Sequence, residues 1–146
     1  MVDTKENSCA FYASDYHFEM IILPYINKKL QEDKNIYVFT QNNLEETINV
    51  LVEKVNLKNN VKENILNINW KDEDNNKYDK LIKDNKEKIV FVKGNEEYIK
   101  KINKDLNKIK QDEKIEIVDC YNVEEVENNI EDISKRYKKI LVTSKI

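Results

Sequence analysis

FYASDYHFEM, Phe11–Met20, joins the end of an apolar run to the start of an amphipathic one. The run SCAFYA (Ser8–Ala13) has the length and apolar content of a buried strand. Beyond the corner, Phe18, Ile21, Ile22, Tyr25 and Leu30 recur at spacings of three and four, which puts them on one face of a helix. A buried strand that passes straight into a helix is the opening of an α/β unit. Ser14 or Asp15 is placed to cap that helix. Pro24 lies inside it, lacks a backbone donor, and predicts a kink or an irregular first turn.

The same alternation continues along the chain. NIYVFT (Asn35–Thr40) reads as a second strand. Asn43 with Glu46 forms a capping-box pattern ahead of a helix striped by Leu44, Ile48, Leu51, Val52 and Val55. VKENI reads as one helical turn. ILNINW, ending at Trp70, alternates Ile68 and Trp70 with Asn67 and Asn69 and predicts a third strand. The polar stretch 71–88 reads as a mobile loop holding a weak helix anchored by Tyr78, Leu81 and Ile82. KIVFVKG (Lys88–Gly94) is a fourth strand, and Asn95 caps a helix striped by Ile99, Ile102, Leu106 and Ile109. KIEIVDC (Lys114–Cys120) is a fifth. Asn122 and Glu125 repeat the capping box before Val123, Val126, Ile130, Ile133 and Tyr137, and KILVTS (Lys139–Ser144) is the last. Strands alternating with helices predict right-handed crossovers and one three-layer α/β domain over 1–146, with a mainly parallel sheet of about six strands covered on both faces.

Composition supports that frame. Apolar residues make up 40% and charged residues 36% of the 146 positions, as expected of a soluble globular protein with a charged surface. The net charge of −3 does not suit general nucleic-acid binding, which usually carries a basic excess. Arg136 is the sole arginine, so bidentate recognition of phosphate or carboxylate has little material. The abundance of Lys, Asn and Ile resembles the usage of an AT-rich bacterial genome. The opening MVDTKENSC has no signal-peptide core, and no apolar run approaches the ~20 residues of a membrane span. A cytoplasmic location is expected, with Cys9 and Cys120 as free thiols and no membrane contact.

Ligands of open α/β sheets bind beyond the carboxyl ends of the strands. That rule selects Tyr12, Ser14, Asp15 and His17 after the first strand, Thr40 and Gln41 after the second, and Trp70 after the third. It adds Lys93 and Gly94 after the fourth, and Asp119, Cys120 and Tyr121 at the fifth. A P-loop needs two glycines, a lysine and a hydroxyl at fixed spacing; the corner Tyr12–Met20 holds none of the glycines and no lysine, and Gly94 is the only glycine in the chain. No GxGxxG occurs either. An Asp at the first helical turn repels phosphate. ATP hydrolysis by a P-loop and NAD binding are therefore not expected. Two readings of the corner stand side by side. In one, Ser14 or Asp15 caps a helix and His17 lies half exposed. In the other, the corner is a polar pocket floor with His17 as its titrating group. Cys9, His17, Asp119 and Cys120 have no recognisable metal-ligand spacing, so neither a metal nor a cofactor is expected.

The run CAFYASDYHFEMIILPYINKKLQEDKNIYVFTQNNLEETINVLVEK, followed by ILNINW, resembles the MEDS-type sensory domain. That domain is related to the DcmR regulator and to RecA/KaiC-like ATPases that have lost the P-loop. The likeness lies in the strand ending in FY, the acidic corner, the helix with LPYI, NIYVFT and the helix opening at NNLEE, and covers the first half of the chain. It implies a RecA-like or Rossmann-like fold used for sensing or protein association. It carries no catalytic residues onto these positions. The leading expectation is a non-catalytic regulatory module that binds a small molecule or a regulatory protein at the strand ends. The alternatives are a small hydrolase-like or metal-assisted enzyme using Asp15, His17 and Asp119, and an assembly protein forming a homodimer, with ILVTSKI (Ile140–Ile146) as an edge open to pairing.

Overall fold

The computed structural model describes residues 7–109 and 115–142. In chain order the elements are β1 (Ser8–Tyr12), α1 (Asp15–Gln31), β2 (Asn35–Thr40), α2 (Glu45–Lys54), α3 (Asn59–Leu66), α4 (Asn75–Lys83) and β3 (Lys88–Lys93). They continue with α5 (Glu96–Ile109), β4 (Ile115–Asn122), α6 (Val123–Val126), α7 (Ile130–Ser134) and β5 (Lys139–Leu141). The strands form one five-stranded sheet in the order β2-β3-β4-β1-β5, and every pairing is parallel. All six residues of β3 are buried, as a strand flanked by neighbours and covered on both faces must be.

Side chains alternate across the sheet and divide the core in two. On the first face, Phe18, Ile22 and Ile26 of α1, Ile48, Leu51 and Val52 of α2, Ile65 of α3 and Trp70 pack against Ala10, Tyr12, Ile36, Val38, Phe91, Val118 and Cys120. On the second, Leu81 of α4, Ile99, Ile102 and Leu106 of α5, Val126 and Ile133 pack against Cys9, Phe39, Val90, Val92, Ile117 and Tyr121. The chain leaves β1 over the first face and travels three positions across the sheet to β2. It leaves β3 over the second face and travels the opposite way to β4. A single crossover hand requires this reversal.

Four sequence expectations need correction. The third strand does not form. Ile65 and Leu66 close α3, the Ile68 N–H donates to the Ile65 carbonyl (3.2 Å), and the Trp70 indole donates to that same carbonyl (2.9 Å). Val61 and Ile65, four apart, outweigh the two-point alternation of Ile68 and Trp70. The sheet therefore has five strands. The helix expected in the polar stretch 71–88 forms as the nine-residue α4 with Tyr78 and Leu81 packed on the core, but Ile82 is 56% exposed and buried Lys77 takes its place as an anchor. The stripe from Val123 to Tyr137 is split at residues 127–129 into α6 and α7. Asn43 does not cap α2, whose N-cap is Leu44; the Asn43 Oδ1 accepts instead from the Glu45 N–H (2.9 Å), a turn two residues long.

Other expectations stand. Ser14 caps α1. Pro24, by contrast, does not mark an irregular first turn, since it lies mid-helix and α1 continues unbroken from Asp15 to Gln31. Asn95 Oδ1 accepts from the Tyr98 N–H (2.8 Å), and Asn122 Oδ1 accepts from the Glu124 N–H (2.9 Å). Both cysteines are free and buried. Strand β4 continues to Asn122, whereas Lys114 at its expected start and Thr143 and Ser144 of the last strand lie outside the described residues. Among the described residues, no helix is long and apolar enough to cross a membrane.

Candidate functional site

The carboxyl ends of β1 and β4 flank the point where successive connections depart to opposite faces. Tyr12 pairs with Asn122 there, and Lys93 pairs with Cys120 one strand away. Such a switch point opens a crevice in doubly wound sheets. Here side chains, not glycines, fill the corner. Ser14 Oγ accepts from the His17 N–H (3.1 Å), and the Ala13 N–H donates to His17 Nδ1 (2.8 Å). The imidazole is thus folded back onto the corner backbone. Asp15, the first residue of α1, lies where the helix dipole favours a carboxylate.

The centre of the site is Lys93, the last residue of β3. Its side chain is 5% exposed, and its ammonium lies 2.9 Å from Asp15 Oδ1 and 2.9 Å from Asn42 Oδ1. The Asn42 amide closes the ring by donating to Asp15 Oδ2 (2.9 Å). Three segments, β1–α1, β2–α2 and β3, are thereby tied together by one cation. The rings of Tyr12 and Phe18 lie 5.0 and 5.5 Å below that ammonium, close enough for cation–π attraction. An ammonium has three donors, and Asp15 and Asn42 take two.

Glu19 lies four residues beyond Asp15, one turn further along the same face of α1, and is completely buried. Its Oε2 accepts from the Thr47 hydroxyl of α2, and its Oε1 has no partner among the described residues. Burial raises the Glu19 pKa, the Thr47 hydrogen bond opposes that shift, and the Asp15 charge adds to it while Lys93 counters it. The Tyr12 phenol is also raised, by burial first and then by the charges of Cys120, Asp15 and Glu125. Among the described residues, the cluster thus holds a buried cation with two of its three donors used and, coupled to it electrostatically, a buried carboxyl oxygen with no hydrogen-bond partner.

The remaining strand-end residues build the walls. Thr40 is buried, and its hydroxyl donates to the Asn42 carbonyl (3.0 Å), which fixes the turn that presents Asn42. Gln41 Oε1 accepts from the Asn95 N–H (2.8 Å) across Gly94. A Cβ at Gly94 would lie 2.5 Å from Gln41 Oε1 and 2.6 Å from Tyr98 Cδ2, so the chain's only glycine is where two side chains close over the backbone. Trp70 belongs to the first-face core, and its carbonyl accepts from the Leu44 N–H (2.9 Å), which supports the start of α2.

Asp119 is on the other side of the sheet. Its neighbour Cys120 faces the first core, and Asp119 faces Asn103 of α5 and Tyr137, just beyond α7. Oδ1 accepts from Asn103 (2.9 Å) and Oδ2 from the Tyr137 hydroxyl (2.6 Å), which is 2.6 Å from the Tyr121 hydroxyl. Burial pushes its pKa up to about 6, against the two hydrogen bonds and Arg136. The adjacent Cys9 thiol is pushed up to about 12 by burial and by the Asp119 charge. The structure therefore brings Asp15, His17, Thr40, Gln41, Lys93 and Tyr12 to one end of the sheet and does not bring Asp119 to them.

Glu19, Asn42 and Thr47 are site residues that sequence reading missed. The four-residue step from Asp15 and the apolar neighbours Phe18 and Ile21 mark Glu19 as a charge on a buried face. Nothing local marks Asn42 or Thr47. Among the described residues, no cluster of three His, Cys, Asp or Glu side chains could hold a metal ion. No known protein family, curated protein or solved structure matches the chain.

Proposed function

We propose that the chain is a non-catalytic regulatory module of sensory or signalling type, whose ligand, a small molecule or a partner protein, binds over Lys93, Asp15 and Asn42. The observation that carries this reading is the buried Lys93 ammonium at a sheet switch point, coupled to Glu19, whose Oε1 has no partner among the described residues. A ring of ion pair and amide can order three segments of the chain around a ligand. The resemblance of the first half to the MEDS-type sensory domain supports the same reading, and so does a corner without phosphate-binding glycines.

The test is native mass spectrometry of freshly purified protein, followed by a thermal-shift screen of small polar metabolites. A retained or stabilising compound whose effect is lost in Lys93→Met supports the module. Turnover of a substrate, abolished by Asp15→Asn or His17→Ala, would replace it with an enzyme.

The exposed Ile140 (44%) of β5 and Val142 (70%) just after it favour a second reading, assembly of two copies through that edge. Sedimentation at high concentration decides it, since a strictly monomeric chain is incompatible with it.

A further inference from the structure

Strand β2 is the outer strand of the sheet. Its Asn35 N–H donates to the Glu87 carbonyl and the Gln41 N–H to the Lys93 carbonyl, so the odd-numbered residues bond to β3. Parallel ladders alternate sides, and Ile36, Val38 and Thr40 therefore turn their backbone groups outward. The upper part of this edge is closed. Buried Lys77 of α4 donates its ammonium to the Val38 carbonyl and to the Lys71 carbonyl. The lower part is open. A groove of about 260 Å³ runs beside Asn35–Val38, lined by Leu30 and Ile68 together with the amides of Asn64, Asn67 and Asn69, and by Lys77 and Lys80 of α4. Among the described residues, the Ile36 N–H and C=O have no partner outside the ladder, and the Lys80 ammonium makes no ion pair.

We infer that the outer edge of β2 is a docking strand for an extended segment of a partner protein that alternates apolar and acidic residues. An outward N–H and C=O on one residue are matched by another extended backbone, the pairing used in strand addition. Successive side chains of an added strand point to opposite faces. One set meets Leu30 and Ile68, and the other meets Lys80. The walls thus specify the alternation, and the sign of Lys80 specifies the charge. This surface is separate from the Lys93 site and does not depend on it.

The experiment is a titration of the ¹⁵N-labelled full chain with two capped pentapeptides, one alternating valine and glutamate, the other valine and lysine. The valine–glutamate peptide is expected to give saturable shifts at Ile36, Val38 and Ile68 and to slow exchange of the Ile36 N–H. Lys80→Glu, an exposed substitution that leaves the core intact, is expected to weaken that peptide several-fold and to favour the lysine peptide. Absence of saturable shifts at these amides at millimolar peptide would overturn the inference. So would an unchanged peptide preference in Lys80→Glu.

Discussion

The Lys93 ammonium and the Asp15 carboxylate are 2.9 Å apart, yet the lysine side chain is 5% exposed and the aspartate 40%. The two ends of this ion pair are therefore not equivalent. Asp15 alone can be hydrated, whereas Lys93 alone stays in a largely dry pocket over two aromatic rings.

The first prediction follows from that asymmetry. Asp15→Ala strands a buried ammonium and is expected to cost about 2 kcal/mol, below the full penalty of a broken buried pair because Asn42 remains and Asp15 is partly solvated. Lys93→Met leaves a carboxylate that water can reach and places an apolar chain over Tyr12 and Phe18, so its cost is expected to stay below about 1 kcal/mol. Urea denaturation of both variants checks the order; equal costs would show that the buried charge is not the vulnerable partner.

Asp119 sets a pH dependence. Its proton affinity rises on folding, from 3.8 to about 6, so the native state holds the extra proton in that window. Stability is then greatest below 3.8 with respect to this group and falls as pH rises through about 6. The fall is at most about 3 kcal/mol, at about 1.4 kcal/mol for each tenfold change in proton affinity. Asp119→Asn is expected to abolish it, because the amide can accept from Asn103 and donate to Tyr137, which then donates to Tyr121. Chemical denaturation of both proteins across this range measures the difference.

Lys77 gives a dependence of opposite sign. Burial brings its pKa down to about 8 from 10.5, so the unfolded chain binds the proton more tightly between those values. Stability therefore rises with pH through that window, and Lys77→Met is expected to remove the rise. The variant is also expected to lose about 1–3 kcal/mol at neutral pH, since the Val38 and Lys71 carbonyls lose their donor. Stability curves of both proteins from neutral pH upward separate the two effects.

Gly94 is predicted to couple to Gln41. Gly94→Ala should cost about 1–3 kcal/mol through overpacking. Gln41→Ala removes one of the two obstructing side chains, so the double variant is expected to be more stable than the two single costs added together predict. A double-mutant cycle tests this, and strict additivity would mean that the added methyl group is accommodated elsewhere.

Much of the fold is legible in local patterns. NIYVFT, KIVFVKG and KIEIVDC are short runs bounded by polar residues, and each is a strand within a residue or two. ILNINW misleads because two alternating residues weigh less than the helical step from Val61 to Ile65. The polar segment before β3 hides its anchor in a lysine: nothing in KDEDNNKYDK distinguishes Lys77, which is buried, from Lys80, which is not. The site is half legible for a related reason. Strand ends point to Asp15 and Lys93, but Asn42 matters only because folding brings three loops together. Tyrosine–carboxylate pairs behave likewise. Tyr37 with Asp84, Tyr78 with Asp105, Tyr98 with Asp74 and Tyr137 with Asp119 join residues that no sequence period relates.

Trp70, the single tryptophan, is 2% exposed in the first-face core, with its indole hydrogen-bonded to Ile65. Tyr78, Tyr98, Tyr121 and Tyr137 belong to the second-face core. Tyr12 and Tyr25 pack in the first-face core, so the first layer holds the tryptophan and the second layer most of the core tyrosines. Tryptophan emission follows loosening of the α1–α2–α3 layer, and near-ultraviolet tyrosine absorbance is weighted towards the α4–α5–α7 layer. Coincident melting curves at the two wavelengths make the domain a single cooperative unit, and separated curves show which layer yields first.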